Sequence, residues 1–402
     1  MTHPPPFFYL KNIIMKYKTI VRFEPYYNSW IMMDDEAEVY EVELDKDFNP
    51  NDYPEYDFIS PGFKIDNACS IPIFVQLLLT ESCNYRCPKC PVVNNPQKKD
   101  ELSFSDIKKI IDYCAEKGVM CIRLSGGEAT RHRYFPEIVD YIRMKGMKCS
   151  LLSNCKIITD DIKEALNNMC YIQTHLDSAD KDVFNSLTGG DNFDSFLKSL
   201  EYLKGQKIQV NVAATLQKEN LNSFKGIIYL CSKYNLTLRI GACYNDGKSN
   251  TMPQWQTYYN TIVRPFAKQW PELKAYAEKL NTTVYCFLDK ELVDDSIKDP
   301  MSVISPWGRS YIVIDSEGNI FPYSLLLNPD CKIGNIKNDD LIDIWRNAEL
   351  LKKIRSISRE SIGCKDCRID CVYTNTFFSY SYFGEFGNVL PHDGCSIRKF
   401  KL

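Results

Sequence analysis

One segment, Thr80-Glu81-Ser82-Cys83-Asn84-Tyr85-Arg86-Cys87-Pro88-Lys89-Cys90-Pro91, constrains this chain more than any other. Its cysteines stand at i, i+4 and i+7, directly after the apolar run Ile71 to Leu79. On a helix that spacing would make a stripe of small buried residues. Pro88 and Pro91 argue against the helix, because an interior proline removes a hydrogen bond and clashes with the preceding turn. A strand that runs into a proline-broken loop with three thiols is the arrangement of a metal loop. Three thiolates are one short of the four that close a structural zinc site or an ordinary cubane cluster. An iron–sulfur cluster held this way keeps one iron open to a further ligand.

The rest of the composition narrows the setting. The chain has 402 residues and 17 cysteines, with no secretion signal at Met1-Thr2-His3-Pro4, so metal ligation accounts for the cysteines better than a disulfide scaffold. Met15 is an alternative start, since the patterned sequence begins just after it. Cys114, Cys121, Cys149, Cys170 and Cys231 lie in apolar patterns and read as core. A net charge of -3 gives no basic footprint, so no nucleic-acid partner is expected. No apolar run reaches the length of a membrane span, and a cytoplasmic location is expected.

Along the chain, residues 17–45 alternate and are rich in β-formers, which predicts two or three strands of a small antiparallel sheet. A Pro/Asn/Asp-rich stretch then marks a boundary near residues 48–70. From residue 71 strands alternate with helices. The strands are read at 73–79, 119–124, 148–152, 172–176, 208–214 and 236–241, and the helices at 103–117, 134–145, 159–168, 193–203 and 221–234. Such βα units imply parallel strands with right-handed crossovers. In parallel barrels the chemistry sits on loops at the carboxyl ends of the strands.

Those loops carry motifs. After the second strand stands Gly126-Gly127-Glu128, where two glycines let the backbone come close to a ligand and a carboxylate can accept from an ammonium group. After the third stands Ser153-Asn154-Cys155, and after the fourth His175-Leu176-Asp177-Ser178. Each alone has a plain structural reading: a turn, or for Asp177 a helix cap. In this order, after Cys83, Cys87 and Cys90, they resemble the radical SAM enzymes.

The resemblance implies a partial (β/α)6, TIM-like barrel and a [4Fe–4S] cluster on Cys83, Cys87 and Cys90, with its open iron chelated by S-adenosylmethionine. It implies cofactor contacts from Gly126, Gly127, Glu128, Ser153, Asn154, His175 and Asp177. Lys89 replaces an aromatic residue usual in the family, Thr188 stands near a usual arginine, and His175 replaces a serine. A ribose neighbour is the role expected of His175.

Toward the C-terminus, residues 311–323 read as a hairpin with its turn at Glu317-Gly318-Asn319. Cys364, Cys367, Cys371 and Cys395 follow. By spacing alone they suit a zinc knuckle or an iron–sulfur cluster equally. The region resembles the SPASM domain of many radical SAM enzymes. In that domain the hairpin position of Tyr323, and one near Trp307-Gly308, usually carry cysteines for a cluster nearer the barrel. The resemblance therefore implies one auxiliary [4Fe–4S] cluster on the four C-terminal cysteines, with Cys331 as a substitute ligand.

The expected layout is an N-terminal β-rich region at 1–70, a barrel at 71–300 and the auxiliary domain at 301–402. The reaction implied is reductive cleavage of S-adenosylmethionine to a 5′-deoxyadenosyl radical that abstracts hydrogen from a substrate C–H. SPASM-type enzymes often act on peptides, so a precursor peptide is the expected substrate, with crosslinking or epimerisation as the outcome and flavodoxin or ferredoxin as reductant. The alternatives are a small-molecule or tetrapyrrole substrate, or a noncatalytic iron–sulfur or zinc protein. Glu128, Asn154 and Asp177 speak against the noncatalytic reading, because an electron carrier has no use for an amino-acid clamp.

Overall fold

The computed structural model describes residues 18–35, 37–44, 48–90, 92, 101–156, 159–206, 208–242, 255–286, 288, 307–324 and 327–357. Cys364, Cys367, Cys371 and Cys395 lie outside the described residues, as does Cys243.

Four short strands form the first sheet: β1 (Thr19–Glu24), β2 (Ser29–Met33), β3 (Val39–Val42) and β4 (Tyr56–Ile59), in the order β3-β2-β1-β4. β1 pairs antiparallel with β2 and parallel with β4. β4 falls inside the stretch read as a boundary. Four residues among prolines and acids show too little alternation to reveal a strand, and its place comes from packing. Phe58 meets Trp30 edge-on at 5.7 Å and Phe48 at 4.8 Å.

The second sheet has ten strands: β5 (Phe74–Leu78), β6 (Cys121–Ser125), β7 (Lys148–Leu152), β8 (Tyr171–His175), β9 (Gln209–Leu216), β10 (Thr237–Ala242), β11 (Val284–Cys286), β12 (Tyr311–Ile314), β13 (Asn319–Phe321) and β14 (Gly334–Asn335). Their order is β11-β10-β9-β8-β7-β6-β5-β12-β13-β14, with β5 to β11 parallel in chain order. β12 also joins β5 in parallel, and the hairpin it forms with β13 extends the same sheet. The strands on either side of residue 301 thus share one ladder of hydrogen bonds.

Helices α1 (Phe104–Lys117), α2 (Phe135–Met144), α3 (Asp160–Leu166), α4 (Lys181–Thr188), α5 (Phe193–Lys204) and α6 (Phe224–Tyr234) connect the parallel strands. Local sequence sets their ends. Ser103 and Asp106 make a reciprocal capping box at the start of α1, and Gly118 closes it in the left-handed region. α4 is absent from the sequence reading, and its N-cap is Asp180, whose side chain accepts from Val183 N at 2.9 Å. Asp177 therefore does not cap a helix. α7 (Trp255–Tyr258), a π turn and α8 (Arg264–Lys279) lead into β11, and α9 (Leu341–Asn347) and α10 (Glu349–Ser356) follow β14.

Buried arginines join the parts. Arg22 of β1 donates to Gly118 O at 2.9 Å, in the turn before β6, and pairs with Glu24 at 3.2 Å. Lys148, at the start of β7, pairs with Asp35 of the first sheet. The small sheet thus covers the amino ends of the parallel strands and leaves the carboxyl ends to the loops. Arg309 donates to Ile354 O, Ile357 O and Asn67 O, which locks the last helix to the segment leading into β5. Among the described residues, no helix is long and apolar enough to cross a membrane.

Candidate active site

β5 ends at Leu78, and the loop that follows is laid against the turn after β6 by main-chain bonds. Gly127 N donates to Thr80 O at 2.7 Å and Glu128 N to Ser82 O at 2.9 Å. This explains both glycines. A Cβ on Gly126, where φ is +139°, would come within 2.3 Å of Thr80 O, and one on Gly127 within 2.5 Å of Glu81 O and 2.6 Å of Ser82 O. The backbone that leaves no room for a Cβ is that of the cysteine loop.

Within the loop, Cys90 N reaches Cys87 O at 3.2 Å and closes a turn around Pro88 and Lys89. Cys83 Sγ accepts from Tyr85 N at 3.4 Å and from Asn154 Nδ2 at 3.6 Å. Arg86 caps the first turn, its guanidinium donating to Cys83 O at 2.7 Å, while Arg86 N binds Thr188 O at 3.0 Å. Lys89 reaches across to the loop after β9, donating to Gln217 Oε1 at 2.8 Å and pairing with Glu219 at 3.4 Å.

The three thiols act on one another electrostatically. Burial, then Cys90, Cys83 and Asp177, push the Cys87 thiol up to about 12. Cys83 is raised as well, chiefly by burial. Thiolates gathered in this way are disfavoured unless positive charge sits among them. Among the described residues, no three such side chains converge closely enough to hold a single ion. Zinc, with bonds of about 2.3 Å to sulfur, would demand that convergence, whereas a cubane spreads its ligands over a wider body. The donor set fits an iron–sulfur cluster.

Glu128 is 1% exposed. Its Oε1 accepts from Thr130 N, from Thr130 Oγ1 at 2.7 Å and from Ser153 Oγ at 2.8 Å. Its Oε2 accepts from Asn154 N at 2.7 Å. The carboxylate ties the turn after β6 to the turn after β7. Burial raises its pKa against these hydrogen bonds, and no cation among the described residues forms an ion pair with it. Asn154 then bridges to the cysteine loop, donating to Asn84 Oδ1 at 2.7 Å. Cys155 holds φ +55°, a left-handed conformation that suits glycine better.

At the end of β8, Asp177 Oδ1 accepts from Thr215 N at 2.6 Å and pins β8 to β9. Burial raises its pKa, and the neighbouring His175, itself exposed, opposes that shift. The structure thus brings the three cysteines, Glu128, Ser153, Asn154, His175 and Asp177 to one end of the parallel strands. Glu101 was missed in the sequence; its Oε1 accepts from Thr80 Oγ1 and Glu81 N, both at 2.9 Å, and so holds the root of the loop. No local signal marks it, because its partners are some twenty residues away.

On the other flank of β5, Trp307 and Tyr323 stand where the resemblance places further ligands. Their rings meet at 4.8 Å, Trp307 lies 5.0 Å from Tyr311, and Tyr311 stacks on Phe74 at 4.2 Å. Cys331 is buried in the core.

A cysteine loop and a set of polar side chains thus meet at the carboxyl ends of the parallel strands. Residues 77–231 match the radical SAM superfamily, and residues 306–371 match SPASM, an iron–sulfur cluster-binding domain. The chain belongs to the radical SAM superfamily, in its SPASM-bearing branch, and is an enzyme of the class that uses [4Fe–4S] clusters and S-adenosylmethionine. It is similar to the mycofactocin maturase MftC of Mycolicibacterium smegmatis, at 24% identity over 76% of this chain and 77% of that protein. It is also similar to the PqqA peptide cyclase of Bradyrhizobium diazoefficiens, at 23% identity over 74% of this chain and 79% of that one. Among solved structures, Streptococcus suis SuiB bound to precursor peptide SuiA superposes with a TM-score of 0.64 at 18% identity, over 77% of this chain and 74% of SuiB.

Proposed function

We propose that this enzyme modifies a ribosomally made precursor peptide, by crosslinking or epimerisation, with Cys83, Cys87 and Cys90 as the ligands of its catalytic cluster. The observation that carries the reading is the convergence of those thiols with Asn154, Glu128 and Asp177 at one end of the parallel strands. When bound, a cluster there supplies the electron for reductive cleavage of S-adenosylmethionine, which leads to removal of a substrate hydrogen atom.

The chain's own residues arrange that site. Asn154 steadies Cys83 by donating to its sulfur. Glu128 accepts a single bond at Oε2, which leaves that oxygen able to take one more donor, such as the ammonium of an amino acid. Among the described residues that buried carboxylate has no ion-pair partner, and an ammonium group would neutralise it. Asp177, Ser153 and His175 stand beside it as further contacts to the cofactor.

The peptide as substrate rests on what the names of MftC, the PqqA cyclase and the SuiB complex say of those proteins. One auxiliary cluster on Cys364, Cys367, Cys371 and Cys395, a flavodoxin or ferredoxin as reductant, and a cytoplasmic setting complete the proposal.

The test is anaerobic reconstitution with iron and sulfide, then reduction with S-adenosylmethionine present. About eight irons per chain, as two cubanes, are expected. 5′-Deoxyadenosine should form and be lost in the triple variant Cys83→Ala/Cys87→Ala/Cys90→Ala. About four irons, removed only by Cys364→Ala/Cys367→Ala, with no 5′-deoxyadenosine, would overturn the catalytic reading and leave a binding protein.

A further inference from the structure

Side chains alternate across a strand. Phe74 and Gln76 of β5, Arg123 of β6, Ser150 of β7 and Tyr171 of β8 share the inner face of the curved sheet, in register from strand to strand. Arg123 is the centre of this face. Its guanidinium lies 5.1 Å from the ring centre of Tyr311, 5.3 Å from Tyr171 and 5.5 Å from Phe74. Nε donates to Ser150 Oγ at 3.4 Å and Nη2 to Tyr311 Oη at 3.1 Å.

The ionisable side chains acting on this cation are the phenols of Tyr311 and Tyr171 and the thiols of Cys121 and Cys170. Among the described residues, no carboxylate lies at ion-pair distance from it. Among the described residues, two buried carbonyl oxygens of the same sheet, Gln76 Oε1 and Asn211 Oδ1, have no hydrogen-bond partner. The interior is therefore built to hold polar groups that the described chain does not supply.

We propose that this interior binds a carboxylate of the peptide substrate, taken at Nη1 of the Arg123 guanidinium, the nitrogen that neither Ser150 nor Tyr311 engages. The proposal rests on the peptide reading and deepens it. Aromatic rings surround Arg123, Ser150 and Tyr311 hold Nε and Nη2, and a carboxylate at Nη1 would meet a guanidinium fixed in direction, which a lysine could not reproduce. The carboxylate comes from an acidic side chain or from a free C-terminus. Arg123 lies two residues before the end of β6, about 7 Å below the turn that meets the cysteine loop. An extended peptide anchored there presents a residue within about two positions of its carboxylate to the reacting end. Arg123 is thus the residue that selects where the peptide is modified.

The test measures binding to the reconstituted enzyme with S-adenosylmethionine present. Three N-acetylated probes of sequence Ala-Tyr-Ala-X-Ala are titrated: X as Glu with an amidated end, X as Gln with an amidated end, and X as Gln with a free C-terminus. One carboxylate-bearing probe is expected to bind at least about tenfold more tightly than the neutral one, and the identity of that probe reveals the source. Arg123→Met should abolish the preference, and Arg123→Lys should reduce it, with thermal melting confirming that each variant folds. Equal affinity for all three probes would overturn the carboxylate site while leaving the peptide reading intact, as would a preference that survives Arg123→Met. If no peptide binds but N-acetylglutamate does, in an Arg123-dependent way, the carboxylate site stands and the peptide reading falls. Failure of every probe overturns the site.

Discussion

The two flanks of β5 are built by opposite means. Toward β6, three thiols sit in a loop held by directional bonds: Thr80 and Ser82 carbonyls, the Asn154 amide and the Glu128 carboxylate. Toward β12, where the resemblance places further cysteines, Trp307, Tyr311 and Tyr323 fill the space with ring contacts of 4.8 and 5.0 Å. A metal loop needs each sulfur aimed, and hydrogen bonds aim; an aromatic wall needs area, and its attraction has little direction. The two flanks of one strand thus differ in kind, aimed thiols on one side and packed rings on the other. Tyr311 of the aromatic wall is also one of the three rings around Arg123.

The two flanks should fail differently. Gly127→Ala drives a Cβ into main-chain oxygens that cannot rotate away. It should cost more than about 3 kcal/mol and remove most of the iron bound at the cysteine loop, read by urea unfolding and iron content. Tyr323→Ala should cost about 2–3 kcal/mol through lost aromatic burial, yet leave the iron per chain unchanged. A matching loss of iron in both variants would break the comparison.

Glu128 sharpens it by pH. Burial raises its folded-state pKa, so the folded protein holds a proton that the unfolded chain releases above about pH 4.3. The stability linked to that proton is complete below this pH and is lost as pH rises through the folded-state value. Glu128→Gln should flatten the fall in stability just above about pH 4.3, measured by unfolding of the cluster-free protein across that range. An unchanged slope would mean the carboxylate does not carry the dependence. The smallest effect belongs to Lys89→Met. Its pair with Glu219 is part exposed, with side chains 35% and 47% accessible, and the change in stability should stay under about 0.5 kcal/mol.

Much of this arrangement was legible in the sequence. The cysteine loop, the strand-end motifs and the βα alternation are local patterns, and the parallel sheet follows them closely. Other features were not. β4 is too short to show a period, and α4, capped by Asp180, has no counterpart in the sequence reading. The carbonyls of the cysteine loop that close on the glycines of the turn after β6 have no mark in the motif, nor do the four donors from the chain that reach the Glu128 carboxylate. A motif names a residue but not the distant atoms that will occupy its hydrogen-bonding capacity.

By itself the sequence marked the candidate residues: three thiols after an apolar strand, a Gly-Gly-Glu turn, an asparagine and an aspartate at successive strand ends. Tertiary structure alone decided which atoms they face. It set Glu128 between two turns, put the hairpin on the edge of the parallel sheet through β12 and β5, and enclosed Arg123 in rings from three strands. The reason is physical. Periodicity and turn chemistry act over a few residues, whereas a buried charge meets its surroundings only when strands far apart in the chain close around it.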